Sequence, residues 1–423
     1  MKFNQIFFEK IPSILIILIP IFLITGPFLS DLSISLVAII FLINSIKNNL
    51  SKYFNNIYFK IFLTFCFVLI ISSLLSSSIF GSLKNSLFYF RFGLFSLAFW
   101  YLLEKDNKIL DYLFLSLIIC FFALIIDGYV QYIFGENLFN VKLYNNFRVS
   151  SFFGSELILG SYLSRLFPIL FGLFVFLDKK KKNKKLLFLM TILFVLTEGL
   201  IFLSGERLAL FFMNLSAIFI ILMIDKYRVY RLWTYIASLL LIFSLLIFLP
   251  QSKNRLIDQT ISDFKGKEGN GAYIFSKPHN DMYITGLKIF SDNIFFGIGP
   301  RQFRNECAKY SVSEYSCSTH PHNTYIELLS ETGIVGFIFI SSLFMYIVFL
   351  MIRHFVYKTF YKPKVFFNDF EICLISALII SLWPFSPNGS FFNNWLSIVY
   401  YFPVGIILWQ INGKHRNKVK NIN

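Results

Sequence analysis

The sequence has few charged residues and lacks several motifs that mark common enzyme classes. Charged residues make up 15% of its 423 residues, whereas soluble domains carry about a quarter. It has no GxxxxGK[ST] pattern, no CxxC pair and no Asp-x-Asp pair. These absences argue against an ATP-binding loop, a zinc site and a metal clamp on diphosphate. We therefore expect neither an ordinary soluble enzyme nor a metal or cofactor.

The sequence does contain a series of long apolar stretches. Hydrophobic residues make up 56% of the chain, and the mean hydropathy is +0.66. Stretches of about twenty such residues can cross a bilayer as helices, and helices satisfy their own backbone hydrogen bonds in lipid. The sequence therefore predicts an all-α polytopic membrane protein with about twelve transmembrane helices. The predicted spans are 12–28, 32–46, 58–80, 86–103, 110–134, 155–177, 186–204, 207–224, 232–250, 333–352, 371–388 and 394–410.

The basic residues are distributed in a way that orients these helices. The formal net charge is +16, a value that also occurs among nucleic-acid-binding proteins. Here most Lys and Arg lie in alternate loops, including six lysines between residues 179 and 185. The positive-inside rule places those loops and both termini in the cytoplasm. The charge therefore indicates membrane topology, with membrane lipids as partners, and we expect no binding of nucleic acid.

The first span follows Lys2 and Lys10 and so has the general form of a signal peptide. No small-x-small cleavage pattern lies near Gly26-Pro27, and a second apolar stretch follows directly. We therefore expect the first span to remain as a membrane helix.

The chain divides into four predicted regions. Residues 1–250 hold nine spans with short loops, 251–332 form one large loop on the side away from the cytoplasm, 333–410 hold three more spans, and 411–423 form a cytoplasmic tail. In the large loop, the apolar residues of 279–291 recur as in an amphipathic helix, and Gly-Ile-Gly-Pro at 297–300 predicts a turn. Cys307 and Cys317 would form a disulfide in an oxidising compartment or remain two free thiols.

His322 lies just before a short predicted helix. Thr324 and Glu327 have the spacing of a capping box, and Gly333 suits the end of the same helix. The positive end of a helix dipole lowers the pKa of a nearby imidazole and keeps it neutral and basic. His322 is therefore a candidate general base, the alternative being a histidine with no chemical role.

Arg207 begins a predicted span next to Glu206. An arginine there often only anchors a helix at the membrane surface, but ionisable residues at such depth also mark functional sites. Guanidinium groups bind phosphate through paired hydrogen bonds. Several arginines beside neutral histidines suggest a site for a phosphorylated substrate. The other candidates for substrate binding are Arg148, Arg301, Arg304, His279 and His320.

The sequence resembles the O-antigen ligase and O-antigen polymerase family of bacterial envelope enzymes. The family pattern is His-Asn, nine residues, Gly, two residues and Gly, and it is met in full by His322-Asn323, Gly333 and Gly336. Further similar segments are Cys-Ser-Thr-His-Pro-His-Asn at 317–323, the block at 295–304, Gly-Glu-Arg at 205–207 and the segment 148–155.

The resemblance implies a metal-independent, cofactor-free glycosyltransferase in the bacterial inner membrane. It places the active site at the periplasmic face, with short helices in the large periplasmic loop. The donor would be a glycan on a polyprenyl-diphosphate carrier, and for a ligase the acceptor would be lipid A–core. His322 would act as the base and the arginines would bind diphosphate. Attack opposite the diphosphate would invert the anomeric centre.

Several alternatives remain open at this point. A polymerase would use a second polyprenyl-linked repeat as its acceptor, and a protein O-oligosaccharyltransferase would use a protein. A non-catalytic transporter of about twelve spans would place its ionisable residues near mid-membrane. The chain also departs from the family at His279, where many members carry arginine. Lys277, Arg304 or His279 itself would then take the role of that arginine.

Overall fold

The structure is a computed structural model that describes residues 5–178, 183–265, 273, 275–361 and 366–420, with side chains described as far as residue 413. Within these ranges the regular structure is helical, and two isolated bridges are the extent of β pairing. Part of the predicted lysine-rich loop (179–182) and the last residues of the predicted tail (421–423) lie outside the described residues. The all-α prediction is confirmed.

The helices follow one another closely along the chain. They are α1 (Ile11–Thr25), α2 (Pro27–Asn48), α3 (Ile57–Leu74), α4 (Ile79–Ser86), α5 (Phe90–Lys105), α6 (Ile109–Phe134), α7 (Leu159–Leu177), α8 (Lys184–Ser204), α9 (Arg207–Met223), α10 (Arg228–Phe248), α11 (Pro250–Lys253), α12 (Gln259–Lys265), α13 (Lys277–Asp292), α14 (Phe303–Glu306), α15 (Thr324–Phe360), α16 (Asp369–Ser381) and α17 (Asn394–Lys420). A π-helical segment, Ile6–Lys10, leads into α1.

Ten helical segments in the described part of the chain are long and apolar enough to cross a membrane. The chain is therefore a multi-pass membrane protein, as predicted. The other two predicted spans coincide with shorter helices, α9 with 17 residues and α16 with 13. Each residue of α16 from Phe370 to Ser381 is buried, so protein rather than lipid surrounds this helix. Twelve crossings remain a prediction.

The centre of the bundle is built by pairs of helices with interlocking aromatic side chains. Helix α5 packs along α17, and α7 packs along α16. Phe92 of α5 stacks on Tyr401 of α17, with ring centroids 5.6 Å apart. Large apolar side chains also cover the outside, as on α10, where Trp233 and Leu240 are 66% and 64% exposed. An apolar exterior of this extent is what a lipid-facing surface requires.

The segment between α10 and α15 packs on the beginning of α15. Helix α13 matches the helix predicted at 279–291 and lies against α15. Met282 and Ile289 are buried, Ile289 in a cluster with Ile298, Phe303 and Cys307. Ile284 and Leu287 of the predicted apolar set are exposed. A disulfide joins Cys307 to Cys317 shortly before the His-Asn pair. This packing brings the loop and the start of α15 together as one unit.

Candidate functional site

The N-terminus of α15 is capped by Asn323. Its backbone is extended, with φ −144° and ψ 127°, and its side-chain oxygen accepts hydrogen bonds from the N–H groups of Tyr325 at 2.9 Å and Ile326 at 3.1 Å. The predicted N-cap, Thr324, is wrong because this residue is already helical. The Thr324 hydroxyl instead accepts a hydrogen bond from Asn388 Nδ2 at 3.3 Å. His322 therefore directly precedes the cap.

Glu327 does not form the predicted capping box with Thr324. Its carboxylate accepts hydrogen bonds from Ser390 Oγ at 2.5 Å and from the Phe391 N–H at 2.7 Å. One helical turn later, the Glu331 carboxylate accepts from the N–H groups of Arg301 and Phe303. The predicted cap role is wrong because both acids are buried and satisfied by distant segments. They fix α15 to two loops.

Gly333 divides α15 into two parts. Its φ of 64° and ψ of −169° are not helical, as expected for the residue that ends the short helix after His322. A Cβ at Gly333 would lie 2.3 Å from the carbonyl carbon of Phe295, and one at Gly297 would lie 2.4 Å from that of Glu331. The two glycines therefore allow the predicted turn to touch the break in α15 backbone to backbone.

Three imidazoles meet at this end of the bundle. The ring of His322 lies 4.1 Å from that of His320 and 5.7 Å from that of His279, measured between centroids. His320 Nε2 donates to the backbone oxygen of Asn388 at 3.1 Å. His322 Nε2 pairs with Ser318 Oγ at 3.1 Å. His322 also has a positive φ of 55°, which turns the chain sharply before α15.

Burial keeps these histidines neutral. It lowers the pKa of His320 to about 3 and that of His279 to about 4, and it lowers the pKa of His322 below its ordinary value of 6.5. The neighbouring His322 lowers the first two further. We expected the helix dipole to lower the pKa of His322, but loss of hydration is the cause that the structure provides. A neutral imidazole at pH 7 can accept a proton.

Arg207 lies at the start of α9 and pairs with two residues of α12. Its Nη1 donates to Thr260 Oγ1 and to Asp263 Oδ2, both at 2.9 Å. The Arg207 side chain is 31% exposed, so its guanidinium remains accessible. Its charge contributes to lowering the pKa of His279. Arg207 and the histidine cluster are therefore parts of one electrostatic environment.

Arg148 contacts the turn between α8 and α9, directly before Arg207. Its Nε donates to the Ser204 carbonyl oxygen at 2.8 Å, and a Cβ on Gly205 would lie 3.0 Å from this nitrogen. The carboxylate of Glu206, the residue before Arg207, accepts hydrogen bonds from the N–H groups of Gly160 and Ser161. Burial raises the pKa of Glu206 to about 7. Arg148 is 8% exposed, so its main contacts support the loop that presents Arg207.

A third arginine of this group, Arg255, escaped sequence analysis. The charges of Arg207 and Arg148 help to lower its pKa, after burial, which is the largest cause. Its Nε is buried without a partner in the structure, while Nη1 donates to Gln259 Oε1 at 2.8 Å. Nothing in its local sequence distinguishes it from other basic residues of the loop. Arg148, Arg207 and Arg255, hereafter the Arg207 cluster, are close enough for their charges to interact, and the charge of Arg207 also acts on His279.

Arg301 and Arg304 act on His320, whereas Arg207 acts on His279. Both contribute to lowering the pKa of His320. Arg301 Nη1 donates to Asn85 Oδ1 at 3.2 Å, and burial lowers the pKa of this arginine. Arg304 is exposed. Lys277, an alternative to His279, is also exposed and lies over the Tyr315 ring at 5.9 Å.

Two further residues support the histidines and were missed in the sequence. The Asn388 N–H donates to the His322 carbonyl oxygen at 2.7 Å, in addition to its bond with His320. Asn388 Oδ1 accepts from Arg165 Nη2 at 2.9 Å. Arg165 is 2% exposed and lies over the Phe212 ring at 4.9 Å. The sequence signal for Arg165 is an arginine inside an apolar span. Asn388 has no comparable signal in the sequence.

The arrangement offers a neutral base and several groups that can bind an anion. Among the described residues, no three His, Cys, Asp or Glu side chains are grouped to hold a metal ion. His322 has a nitrogen that already faces a hydroxyl group, and the Arg207 cluster supplies cations nearby. Such a site can remove a proton from an alcohol and stabilise a developing phosphate charge.

Comparison with known families agrees with this geometry. Residues 191–341 match the family model described as O-antigen ligase. The matched segment runs from α8 into α15 and contains Arg207, Arg255 and the three clustered histidines. No curated protein matches the sequence. The resemblance predicted from the His-Asn and glycine pattern is confirmed over these residues.

Proposed function

We propose, from the premise that residues 191–341 form an O-antigen ligase domain, that the protein is a membrane glycosyltransferase of the ligase type. It would transfer a glycan from polyprenyl diphosphate to lipid A–core at the periplasmic face of the bacterial inner membrane. In this topology, twelve spans place both termini in the cytoplasm and the loop 251–332 in the periplasm. No metal or cofactor takes part.

The observation that carries the proposal is the neutral His322, whose ring lies 5.7 Å from that of His279 and 4.1 Å from that of His320. The charge of Arg207 acts on His279, and those of Arg301 and Arg304 act on His320. An acceptor hydroxyl group that replaces Ser318 Oγ at His322 Nε2 would lie within hydrogen-bond distance of a base, since that contact is 3.1 Å. His322 would take the hydroxyl proton as the acceptor oxygen attacks the anomeric carbon. Base catalysis of this kind contributes about 10²–10⁴-fold to a rate.

The diphosphate leaves as the glycosidic bond forms and needs cations rather than an acid. Arg207 fits this role because its guanidinium already binds a carboxylate, Asp263, at 2.9 Å. A donor diphosphate would replace that carboxylate, and Arg255 and His279 are close enough to contribute further. Preorganised positive charge stabilises the leaving group as its own charge grows.

The location of the ionisable residues argues against a transporter. The Arg207 cluster and the three histidines lie at helix ends and in loops, whereas transporters bind their substrates near mid-membrane. A polymerase would use the same base and the same leaving group with a different acceptor. The acceptor therefore has to be identified by experiment.

The test is the lipopolysaccharide pattern of a deletion strain complemented with wild type or with His322→Ala. With the variant we expect bare lipid A–core, and long polymer retained on the polyprenyl carrier. Core capped by a single repeat would instead identify a polymerase. A deletion strain whose lipopolysaccharide pattern matches that of the wild type would contradict transfer to lipid A–core. Normal transfer by a correctly inserted His322→Ala protein would exclude His322 as the base.

A further inference from the structure

A small polar pocket has Arg301 in its wall. It has a volume of about 110 Å³ and is lined by residues of α2, α4 and α5, by Arg301 and by residues that precede or begin α17. Its charged groups are Lys84, Arg91, Arg301 and Asp31. Three cations against one carboxylate leave an excess of positive charge in a site surrounded by aromatic side chains.

The hydrogen-bonding capacity of this pocket is only partly used. Arg91 Nη2 donates to Asp31 Oδ1 at 2.6 Å, and Arg301 Nη1 donates to Asn85 Oδ1 at 3.2 Å. The Nε atoms of both arginines are buried and have no hydrogen-bond partner in the structure. Buried donors without partners are rare because each costs free energy. Two guanidinium groups that line one pocket, in which positive charge exceeds negative charge, indicate an anionic ligand.

The size of the pocket is sufficient for such an anion. A volume of about 110 Å³ can hold a group of a few heavy atoms, such as a phosphate. Its walls include Phe88, which is 53% exposed, and the buried ring of Phe392. Aromatic walls around a charged centre suit the boundary between a lipid headgroup and its chains.

The pocket is connected to the proposed base through the backbone of Arg301. The Arg301 N–H donates to Glu331 of α15, the helix that begins directly after His322. The charge of Arg301 also reaches His320, since it lowers the pKa of this imidazole. A phosphate held by Arg301 would therefore lie near His320, whereas Arg207 acts on His279.

We infer that this pocket binds a phosphate group of the acceptor lipid, while the Arg207 cluster binds the diphosphate of the donor. The inference rests on the proposed function, because that reaction joins two phosphorylated lipids across one base. The phosphate would come from lipid A in a ligase or from a second polyprenyl diphosphate in a polymerase. Positioning the acceptor by its phosphate would bring its hydroxyl group to His322 in a fixed orientation.

The test compares Asp31→Asn with the double variant Asp31→Asn/Arg91→Gln. Asp31→Asn is the matched control because it leaves Arg91 in place and removes only its carboxylate partner. Full-length protein in phosphatidylcholine nanodiscs would be titrated with lipid A and with dephosphorylated lipid A, and binding measured by native mass spectrometry. We expect wild type and Asp31→Asn to prefer the phosphorylated lipid by about tenfold or more. The double variant should lose this preference.

A titration with undecaprenyl diphosphate distinguishes the two sources of phosphate. Two bound copies in the wild type and one in the double variant would support the pocket and assign it to a polyprenyl acceptor. An unchanged preference for phosphorylated lipid A together with unchanged stoichiometry would overturn the inference. Competition by phosphatidylglycerol equal to that of lipid A would also overturn it, because the pocket would then bind any headgroup.

Two further measurements keep the inference separate from the proposed function. If the double variant does not fold, Lys84→Gln replaces an exposed cation of the same pocket and should weaken the preference for phosphate. If His322→Ala transfers glycan normally while phosphate binding still depends on Arg91, the proposed function fails. The assignment of a phosphate to this pocket would still hold. If transfer needs His322 but the acceptor KM is unchanged by loss of Arg91, the inference fails alone.

Discussion

Arg165 and Asn388 form a buried pair in which the guanidinium Nη2 donates to the amide oxygen at 2.9 Å. Asn388 in turn binds the His322 carbonyl oxygen through its N–H and the His320 ring through its own carbonyl oxygen. The pair therefore connects an arginine of α7 to both histidines. Because neither residue reaches a free nitrogen of His322, their role would be to position the base.

Replacement of Asn388 by Ala tests this positioning role. The change keeps the backbone bonds to His320 and His322 but removes the side-chain bond to Arg165 that holds this backbone in place. It leaves Arg165 Nη2 without this acceptor, and an unsatisfied buried charged donor costs about 1–3 kcal/mol or more. We expect lower thermal stability and a lower kcat with little change in the KM for donor. Both can be measured on protein purified in nanodiscs.

The matched control for Asn388→Ala is the double variant with Arg165→Met. Removing the unpaired charge should restore stability, because the thioether chain can pack on Phe212. If the pair positions His322, kcat should stay low in the double variant. Recovery of kcat together with stability would show that the pair is structural only.

Arg207→Lys should abolish most transfer. A lysine keeps the charge but cannot supply the paired hydrogen bonds that a diphosphate accepts from a guanidinium group. Loss of these bonds should lower kcat/KM by about ten- to a hundredfold. Asp263→Asn is the matched control, since it removes the carboxylate that now pairs with Arg207. This control should retain activity. Wild-type turnover by Arg207→Lys would show that Arg207 only anchors its helix.

The pH dependence of transfer should reflect the lowered pKa of His322. Burial favours the neutral imidazole, so protonation occurs at a lower pH than the ordinary value of 6.5. The active, unprotonated form therefore persists as the pH falls through 6.5, and kcat should remain level from pH 8 to below that value. At still lower pH the rate should decline. A rate that halves near pH 6.5 or above would contradict a buried base.

Reduction of the Cys307–Cys317 disulfide should weaken the site. The bond closes a short loop just before Ser318, His320 and His322, and a loop of this length contributes about 2–3 kcal/mol to stability. We expect a reducing agent to lower the melting temperature and the rate. A variant in which the buried Cys66, Cys120 and Cys373 are Ala should respond in the same way. Insensitivity of both proteins would contradict this role.

Features that depend on local pattern could be predicted from the sequence. The apolar stretches gave the membrane helices, and the His-Asn and glycine pattern gave the break at Gly333. The capping-box spacing of Thr324 and Glu327 predicts the N-cap at Thr324, but Asn also favours this position and the backbone geometry selects Asn323. Neighbouring candidates of similar propensity cannot be separated by pattern alone.

Features that depend on distant contacts could not be predicted. Glu327 pairs with Ser390 and Glu331 with Arg301 across long separations in sequence. The same holds for Asn388, whose partners lie in three other segments. The cause of the lowered pKa of His322 was also assigned to the helix dipole because burial is a property of the folded chain. These contacts complete the site around residues that local sequence had indicated.

The contact between Gly297 and Gly333 has an evolutionary consequence. Any side chain at either position would collide with main-chain atoms that cannot move aside, so a substitution there would disturb the loop and the histidine helix together. Related proteins that handle different sugars would therefore be expected to diverge at other positions. The positions that determine glycan specificity would then vary among relatives, whereas the two glycines would stay the same.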